Sequence, residues 1–248
     1  MSQVLSEPIP ALCEKALVVH ERLCALYGCP VPFFHELDPI SELVSSLLSH
    51  RTKNADSGAA FRELRAQLPT WEEVRDAPVE QVEAAVAHCT WPEQKAPRVQ
   101  EVLRRVTALR GELNLDFLAA LPAPEARVWL EQLPGVGPKT SAAVLLFSPL
   151  RKPMLPVDSH HYRVAVRVGL VSPSVSVGPA HAVLAALLPP DWTAQQVYDH
   201  HEVYMFHGQR CCYHANPDCG RCPLLDLCPF GQKRMRTKSG DLRLQGSV

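Results

Sequence analysis

Helical periodicity, interrupted at intervals by proline, is the sequence feature that most restricts the fold of this 248-residue chain. Apolar residues recur three and four positions apart in one segment after another, and no stretch shows the alternation of a half-buried strand. The segments with this period are 11–27, 41–50, 96–110, 124–132, 138–148, 159–169, 178–188 and 194–207. Most of the 23 prolines fall between them, where they end one helix or begin the next. The pattern predicts an all-α protein built from many short helices.

The composition indicates an ordinary globular protein, with 46% hydrophobic and 21% charged residues. It contains no run of about 18 uncharged apolar residues, the length that a membrane-spanning helix requires. Residues 1–15 lack the basic start and the apolar stretch of a signal peptide. We therefore expect a soluble cytoplasmic protein with no membrane partner.

The net charge of −1 conceals an uneven distribution along the chain. Residues 1–94 contain 14 acidic and 7 basic side chains, whereas residues 95–248 contain 12 acidic and 18 basic ones. A basic half can follow an anionic polymer, although so small a total charge restricts any such contact to a local surface. Charge alone thus permits binding of nucleic acid and does not require it.

The segment LPGVGPKTSAAVLLFS, residues 133–148, predicts a tight turn between two helices. Gly135 and Gly137 permit a positive φ and leave the backbone uncovered, and Pro138 suits the first position of the second helix. The amides of Gly135, Val136 and Gly137 would then form a phosphate-binding site at the helix N-terminus. The alternative is a tight turn with only a packing role.

Lys139 and Asp158 each stand where a helix is predicted to begin. The partial positive charge at a helix N-terminus disfavours the ammonium form of Lys139, and burial would lower its pKa further, which favours a nucleophilic amine. Asp158 occupies the N-cap position of the 159–169 helix. The alternatives are a solvated lysine that contacts phosphate and an aspartate that only caps its helix.

Five of the nine cysteines lie between residues 211 and 228, and such a cluster in a cytoplasmic chain favours a metal site over disulfides. Four of them, in CYHANPDCGRCPLLDLC, are spaced like a four-thiolate ligand set: Cys212, Cys219, Cys222 and Cys228. This spacing alone fits either a [4Fe-4S] cluster or zinc. The nearby histidines His200, His201, His207 and His214 are predicted to be structural or solvated.

The chain resembles the endonuclease III family of helix-hairpin-helix DNA glycosylases. The motifs that carry the resemblance are the hairpin with its lysine, the segment VDSHHYRV and the terminal cysteines. The matching segments extend from about Pro39 to Cys228. The resemblance implies that the hairpin grips the DNA backbone, that Lys139 attacks the C1′ atom of a flipped damaged pyrimidine nucleotide, and that Asp158 assists. It also implies a [4Fe-4S] cluster on the four cysteines, with Cys211 as a spare thiol.

By the same resemblance, the fold would comprise two helical lobes with DNA across the cleft between them, and Lys139 and Asp158 facing each other. The lobes would be residues 32–152, with the hairpin, and residues 1–31 with 153–230, with the cluster loop; residues 231–248 would form a flexible basic tail. The implied activity is removal of oxidised pyrimidines from damaged double-stranded DNA, with apurinic/apyrimidinic lyase activity. The protein would act as a monomer in the bacterial cytoplasm, associated with the nucleoid.

Several residues depart from the family pattern. Arg51, in LLSHRTKNADS, stands where a glutamine is usual, and Trp91 lies in a loop where an aliphatic residue is usual; both are predicted to contact DNA, with Trp91 stacking in the opened duplex. The alternative for Trp91 is a loop tryptophan packed on its own domain. Pro138 stands where the family often has a basic residue, which removes one phosphate contact. His160 is expected to position the site. These departures leave open a weakly active or non-catalytic DNA-binding member of the family. A mismatch adenine glycosylase fits less well, because that type lacks the hairpin lysine.

Overall fold

The computed structural model describes residues 9–34 and 36–245, and the side chains of residues 10–34 and 36–237. In these ranges it contains α-helices and two short 3-10 helices, Asp116–Ala120 and Cys219–Arg221, and no strand. The α-helices are α1 (Ile9–Tyr27), α2 (Pro39–Ser49), α3 (Asn54–Gln67), α4 (Trp71–Asp76), α5 (Val79–Ala85), α6 (Pro92–Arg110), α7 (Ala123–Glu131), α8 (Pro138–Phe147), α9 (Ser159–Val168), α10 (Val177–Ala185), α11 (Ala194–Arg210) and α12 (Pro229–Gln245).

The all-α prediction is confirmed, and each of the eight segments with helical period corresponds to a helix. Their ends agree to within a few residues because proline and capping residues mark them. None of the described helices is both long and apolar enough to cross a membrane. Residues 1–8 belong to the segment that lacks the features of a signal peptide, and they lie outside the described part of the chain.

The chain divides into two compact units, Met1–Pro32 with Val157–Val248, and Phe33–Pro156. In the second unit, α2 packs against α3, α6 and α8, and α6 also packs against α4 and α5. Fully buried leucines at the centre of this unit come from α2, α6 and α8 and include Leu43, Leu103 and Leu145. This core fixes the position of the turn that leads into α8.

In the other unit, α11 packs against α9 and α1, and α12 packs against α9. Tyr198 and Tyr204 of α11 are fully buried there. Cys24 and Cys29, at the end of α1, form a disulfide. Sequence analysis did not predict this bond, because both cysteines stand apart from the C-terminal cluster.

The tail from residue 231, which the sequence predicted to be flexible, is helical through Gln245. The segment is rich in lysine, arginine and other good helix formers, yet it lacks an apolar stripe and therefore shows no period. Its first turn is tied to the preceding loop, since the Gly231 amide donates to Cys228 Sγ at 3.3 Å and Gln232 Nε2 donates to the Asp226 carbonyl at 2.6 Å. Residues 246–248 lie outside the described residues.

Candidate DNA-repair site

The turn between α7 and α8 is the hairpin that the sequence predicted. Gly135 has a φ of +77°, and a Cβ atom added there would lie 3.0 Å from Arg98 Cδ, so this position requires glycine. Gly137 differs from the prediction: its φ is −110° and its backbone is extended, because it serves as the N-cap of α8. Open space surrounds a Cβ atom added at Gly137. The backbone there is thus exposed to an approaching molecule.

The hairpin amides differ in their availability for a ligand. The amide of Val136 donates to the Leu133 carbonyl at 3.1 Å, and the Val136 side chain is buried. Val136 therefore does not fit the predicted role of a phosphate donor in this conformation. The amides of Gly135 and Gly137 bond no acceptor in the described part of the chain.

Lys139 is the second residue of α8 and is half-buried. His50, from the loop after α2, lies beside it and hydrogen bonds through Nε2 with Thr140 Oγ1 at 2.8 Å. Burial lowers the pKa of His50 to about 4, and the positive charges of Lys139 and Lys95 add to this shift. His50 is therefore neutral near pH 7, and the lysine has an imidazole rather than a second cation as its neighbour.

Arg51 and Trp91 lie together, although they are 40 positions apart in the sequence. The Arg51 guanidinium is 5.8 Å from the centre of the Trp91 ring, and 45% of the Trp91 residue surface is exposed. Both residues have a left-handed backbone, with φ values of 52° and 56°. Residues with side chains rarely adopt this conformation, and it persists where the surrounding structure fixes it.

Lys95 holds together the loop after α2, which contains Arg51, and the loop before α6, which contains Trp91. Its buried ammonium group donates to the Leu48 carbonyl and to Thr52 Oγ1, each at 2.5 Å, and Thr52 Oγ1 also accepts from the Thr90 amide at 3.1 Å. Burial lowers the pKa of Lys95. The sequence did not reveal this role, since a lysine in the first turns of a polar helix is normally solvated.

Asp158 caps α9 as predicted, because its Oδ1 atom accepts a hydrogen bond from the His161 amide at 2.7 Å. Glu202 of α11 lies in the same unit and is buried, with His201 Nε2 4.0 Å from its Oε1. Burial raises the pKa of Glu202 to about 7, and the carboxylates of Asp158 and Asp199 contribute to the shift. Sequence reasoning missed this buried glutamate, because it lies among the polar residues of α11.

His160 packs against α11, where a Cβ atom added to Gly208 would come within 2.7 Å of the His160 Cβ. Its Nδ1 accepts from Arg163 Nη2 at 3.1 Å, and Arg163 also donates to the carbonyls of Gly208 and Cys212. Arg167 likewise donates to the carbonyls of Tyr213 and His214. Both arginines therefore tie α9 to the cysteine loop.

All five C-terminal cysteines line one cavity beside α9 and α12, with about 340 Å³ of space between atoms, part of it open to solvent. Burial raises the pKa of the Cys222 thiol to about 12 and that of Cys228 to about 11, so a bound cation is needed to make them thiolates at neutral pH. Arg167 Nη1 donates to Cys212 Sγ at 3.3 Å, as the Gly231 amide does to Cys228 Sγ. A cavity with these thiols and donors fits a thiolate-bound metal or cluster.

His207 and Cys211, which sequence reasoning set aside, also reach this cavity. One ligand atom each from His207, Cys211 and Cys222 lies within 4.8 Å of the other two. The H-x3-C spacing of His207 and Cys211 at the end of a helix is the signal that could have identified them.

Comparisons with known proteins agree with this architecture. Residues 44–190 match the family described as HhH-GPD superfamily base excision DNA repair protein. Endonuclease III of Thermotoga maritima is 31% identical over 199 residues, which cover 80% of this chain and 86% of that protein. An Arabidopsis thaliana protein with a provisional DNA glycosylase name is 29% identical over 192 residues, and the matching region spans 77% of this chain and 64% of that protein.

Two solved structures show the same fold. A non-covalent endonuclease III–DNA complex has a TM-score of 0.76 at 24% identity, covering 90% of this chain and 98% of that one. A thermostable thymine-DNA glycosylase has a TM-score of 0.73 at 21% identity, covering 90% of this chain and 99% of that one. At these identities the likeness concerns the fold alone.

Proposed function

Because the chain belongs to the HhH-GPD superfamily of base excision DNA repair proteins and is endonuclease III-like within it, we propose that it is a DNA glycosylase with apurinic/apyrimidinic lyase activity. Its substrate would be an oxidised pyrimidine in double-stranded DNA, on which the protein acts as a monomer. The observation that carries this proposal is the hairpin before α8, which has two available glycine amides and places Lys139 in the first helical turn.

Lys139 supplies the nucleophile in this proposal. Its neutral amine attacks C1′ of the damaged nucleotide, and the base departs with the electrons of the glycosidic bond. The resulting Schiff base on the opened sugar acidifies the C2′ proton, and loss of that proton expels the 3′ phosphate. The neutral imidazole of His50 supports this role, because a second positive charge at that position would oppose formation of a cationic intermediate.

Asp158 supplies the assisting carboxylate. Its cap of α9 uses Oδ1 and holds the side chain in one orientation, and no other donor within its unit bonds it in the described residues. The charge of Asp158 can therefore stabilise the positive charge that develops on the sugar, while the cap keeps the carboxylate in place.

Arg51 and Trp91 would contact the DNA around the lesion. A flipped nucleotide leaves a gap in the stack, and an exposed indole beside a guanidinium can fill it by stacking and by neutralising phosphate. Gly135 and Gly137 would donate their amides to the backbone phosphate. His160 would orient the first turn of α9 through Arg163.

Cys212, Cys219, Cys222 and Cys228 would hold a [4Fe-4S] cluster. A cluster bound there supplies a cross-link between the loop after α11 and the start of α12. The arginines of α9 support the site, because Arg167 contacts Cys212 and both Arg163 and Arg167 hold the carbonyls of the loop.

Borohydride trapping on a duplex with an abasic site or thymine glycol tests the proposal. Lys139→Gln should abolish the covalent protein–DNA adduct and retain most of the DNA binding, since phosphate contacts do not require the amine. Lys53→Gln is the matched control, because it removes one exposed lysine charge from the same unit. It should trap as the wild type does and lose only a little salt-dependent affinity.

A wild-type protein that binds these duplexes and yields no adduct would contradict the proposed enzyme and favour the non-catalytic member of the family. Trapping by Lys139→Gln at the wild-type level would show that another amine is the nucleophile.

A further inference from the structure

The end of α11 brings together a histidine and two thiols. His207 lies in the last turn of α11, and Cys211 follows four residues later as the C-cap, so both side chains lie on one face of the helix. Cys222 reaches the same point from the loop after the 3-10 helix Cys219–Arg221. One ligand atom from each residue lies within 4.8 Å of the others, and His207 Nε2 is 3.5 Å from Cys222 Sγ.

These distances suit a tetrahedral metal ion. Bond lengths of about 2.3 Å to sulfur and about 2.0 Å to imidazole nitrogen place two such ligands about 3.5 Å apart on tetrahedral zinc. Two cysteines and one histidine form an established ligand set for zinc, with a fourth position left for water or another ligand.

Tyr27 gives the histidine its orientation. The hydroxyl of Tyr27 lies 3.2 Å from His207 Nδ1, and the His207 side chain is buried. If Nδ1 donates to the phenol oxygen, Nε2 has a free lone pair that faces Cys222. Histidines that bind metal normally have their second nitrogen held in this way.

We propose that His207, Cys211 and Cys222 form a second metal site, which binds one Zn²⁺ when the four-cysteine site contains no cluster. The two sites share Cys222 and are therefore occupied alternately. Zinc would tie the end of α11 to the cysteine loop through Cys211 instead of Cys212. This site does not depend on the proposed glycosylase activity.

The test uses the full-length chain expressed without iron and loaded with Zn²⁺, or with Co²⁺ as a spectroscopic probe. The wild type should bind one metal ion at this site and give the visible bands of tetrahedral Co²⁺ with thiolate ligands. Cys211→Ser should lower the affinity for Zn²⁺ by on the order of 100-fold and remove the Co²⁺ bands. The same variant expressed with iron should contain as much iron as the wild type.

Cys212→Ser is the matched control, because it changes the adjacent thiol of the other ligand set. It should lose the iron and keep both the Zn²⁺ affinity and the Co²⁺ spectrum. Tyr27→Phe should lower the affinity for Zn²⁺ by about tenfold, as expected for loss of a supporting hydrogen bond. This variant keeps all three ligands, so it remains informative if His207→Gln fails to fold.

A Cys211→Ser variant that binds Co²⁺ with the wild-type spectrum would overturn the proposal, as would a wild type that takes up no Zn²⁺. If Cys212→Ser weakens Zn²⁺ binding as much as Cys211→Ser does, the ion occupies the four-cysteine set and the proposal is wrong. These measurements record metal binding only, whereas the glycosylase proposal is tested by borohydride trapping. Failure of one proposal can therefore be told from failure of the other.

Discussion

Asp158 combines a structural and a proposed chemical role in one side chain. Asparagine caps a helix about as well as aspartate, whereas it has no negative charge to stabilise a cationic sugar. We predict that Asp158→Asn unfolds at nearly the wild-type urea concentration and forms the trapped adduct orders of magnitude more slowly. Asp158→Ala should in addition lose about 1 kcal/mol of unfolding free energy, because the bond to the His161 amide is lost. Equal trapping rates for Asp158→Asn and the wild type would leave Asp158 as a cap only.

Glu202 gives a prediction about pH and stability. Its pKa is raised from 4.5 to about 7, so the folded protein retains a proton that the unfolded chain releases between these values. The contribution of Glu202 to the unfolding free energy therefore falls as the pH rises through this window. Glu202→Gln should remove this dependence and be more stable than the wild type above about pH 7, by on the order of 2 kcal/mol.

Urea unfolding of both proteins at about pH 5 and about pH 8 measures this effect. Glu21→Gln, at an exposed position on α1, is the control and should shift stability equally at both pH values. The prediction for Glu202 is wrong if the unfolding free energy of Glu202→Gln differs from that of the wild type by the same amount at both pH values.

The roles of single residues could be predicted from the sequence where they depend on near neighbours. The cap by Asp158 and the positive φ of Gly135 follow from a few adjacent residues, and both are confirmed. The contact between His50 and Thr140 joins residues 90 positions apart, and only the packing of α2 against α8 creates it. The same reason applies to Lys95, whose burial depends on the loop after α2.

Whole elements were predictable where an apolar stripe faced a core. Helices α2 and α9 follow from that stripe and from an aspartate at the N-cap, whereas α8 follows from its continuous apolar run after Pro138. Helices α3 and α12 are mostly polar and could not be found by period. They form because their residues favour helix locally and because a few residues anchor them, such as Leu64 in α3.

The hairpin gives a prediction for an element, since its two glycines differ in conformation. Gly135→Ala should lower the unfolding free energy by about 1–3 kcal/mol, because alanine is strained at this φ and would contact Arg98. Gly137→Ala should cost little stability, because the backbone is extended and open space surrounds the added methyl group. It should instead weaken binding to abasic duplex, since the methyl group keeps phosphate away from the amide.

Thermal unfolding and DNA titration at fixed salt separate these two effects. A Gly137→Ala variant with wild-type affinity for DNA would indicate that phosphate does not approach this amide.

At the scale of the whole molecule, the chain distributes its proposed functions between two units. The hairpin, Lys139, Arg51 and Trp91 belong to Phe33–Pro156, which has a continuous apolar core. Asp158 and the C-terminal cysteines belong to the other unit, where the loop after α11 has few buried apolar residues, Leu224 being one. The sequence could indicate both sets of residues through motifs, whereas the course of α12 after the cysteines depends on contacts that a motif does not encode.

This difference predicts how loss of the cluster affects the molecule. Cys219→Ser should lose its iron, and amide hydrogen exchange should become fast from about residue 210 to residue 230 and in the first turns of α12, because metal binding supplies much of the order there. Helices α2, α6 and α8 should keep their protection, since they belong to the other compact unit and have an apolar core of their own. Cys13→Ser, on α1 and outside the ligand set, should retain iron and wild-type exchange in both units. Full iron content in Cys219→Ser with unchanged exchange would mean that Cys219 does not bind the metal and that protein contacts alone order the loop.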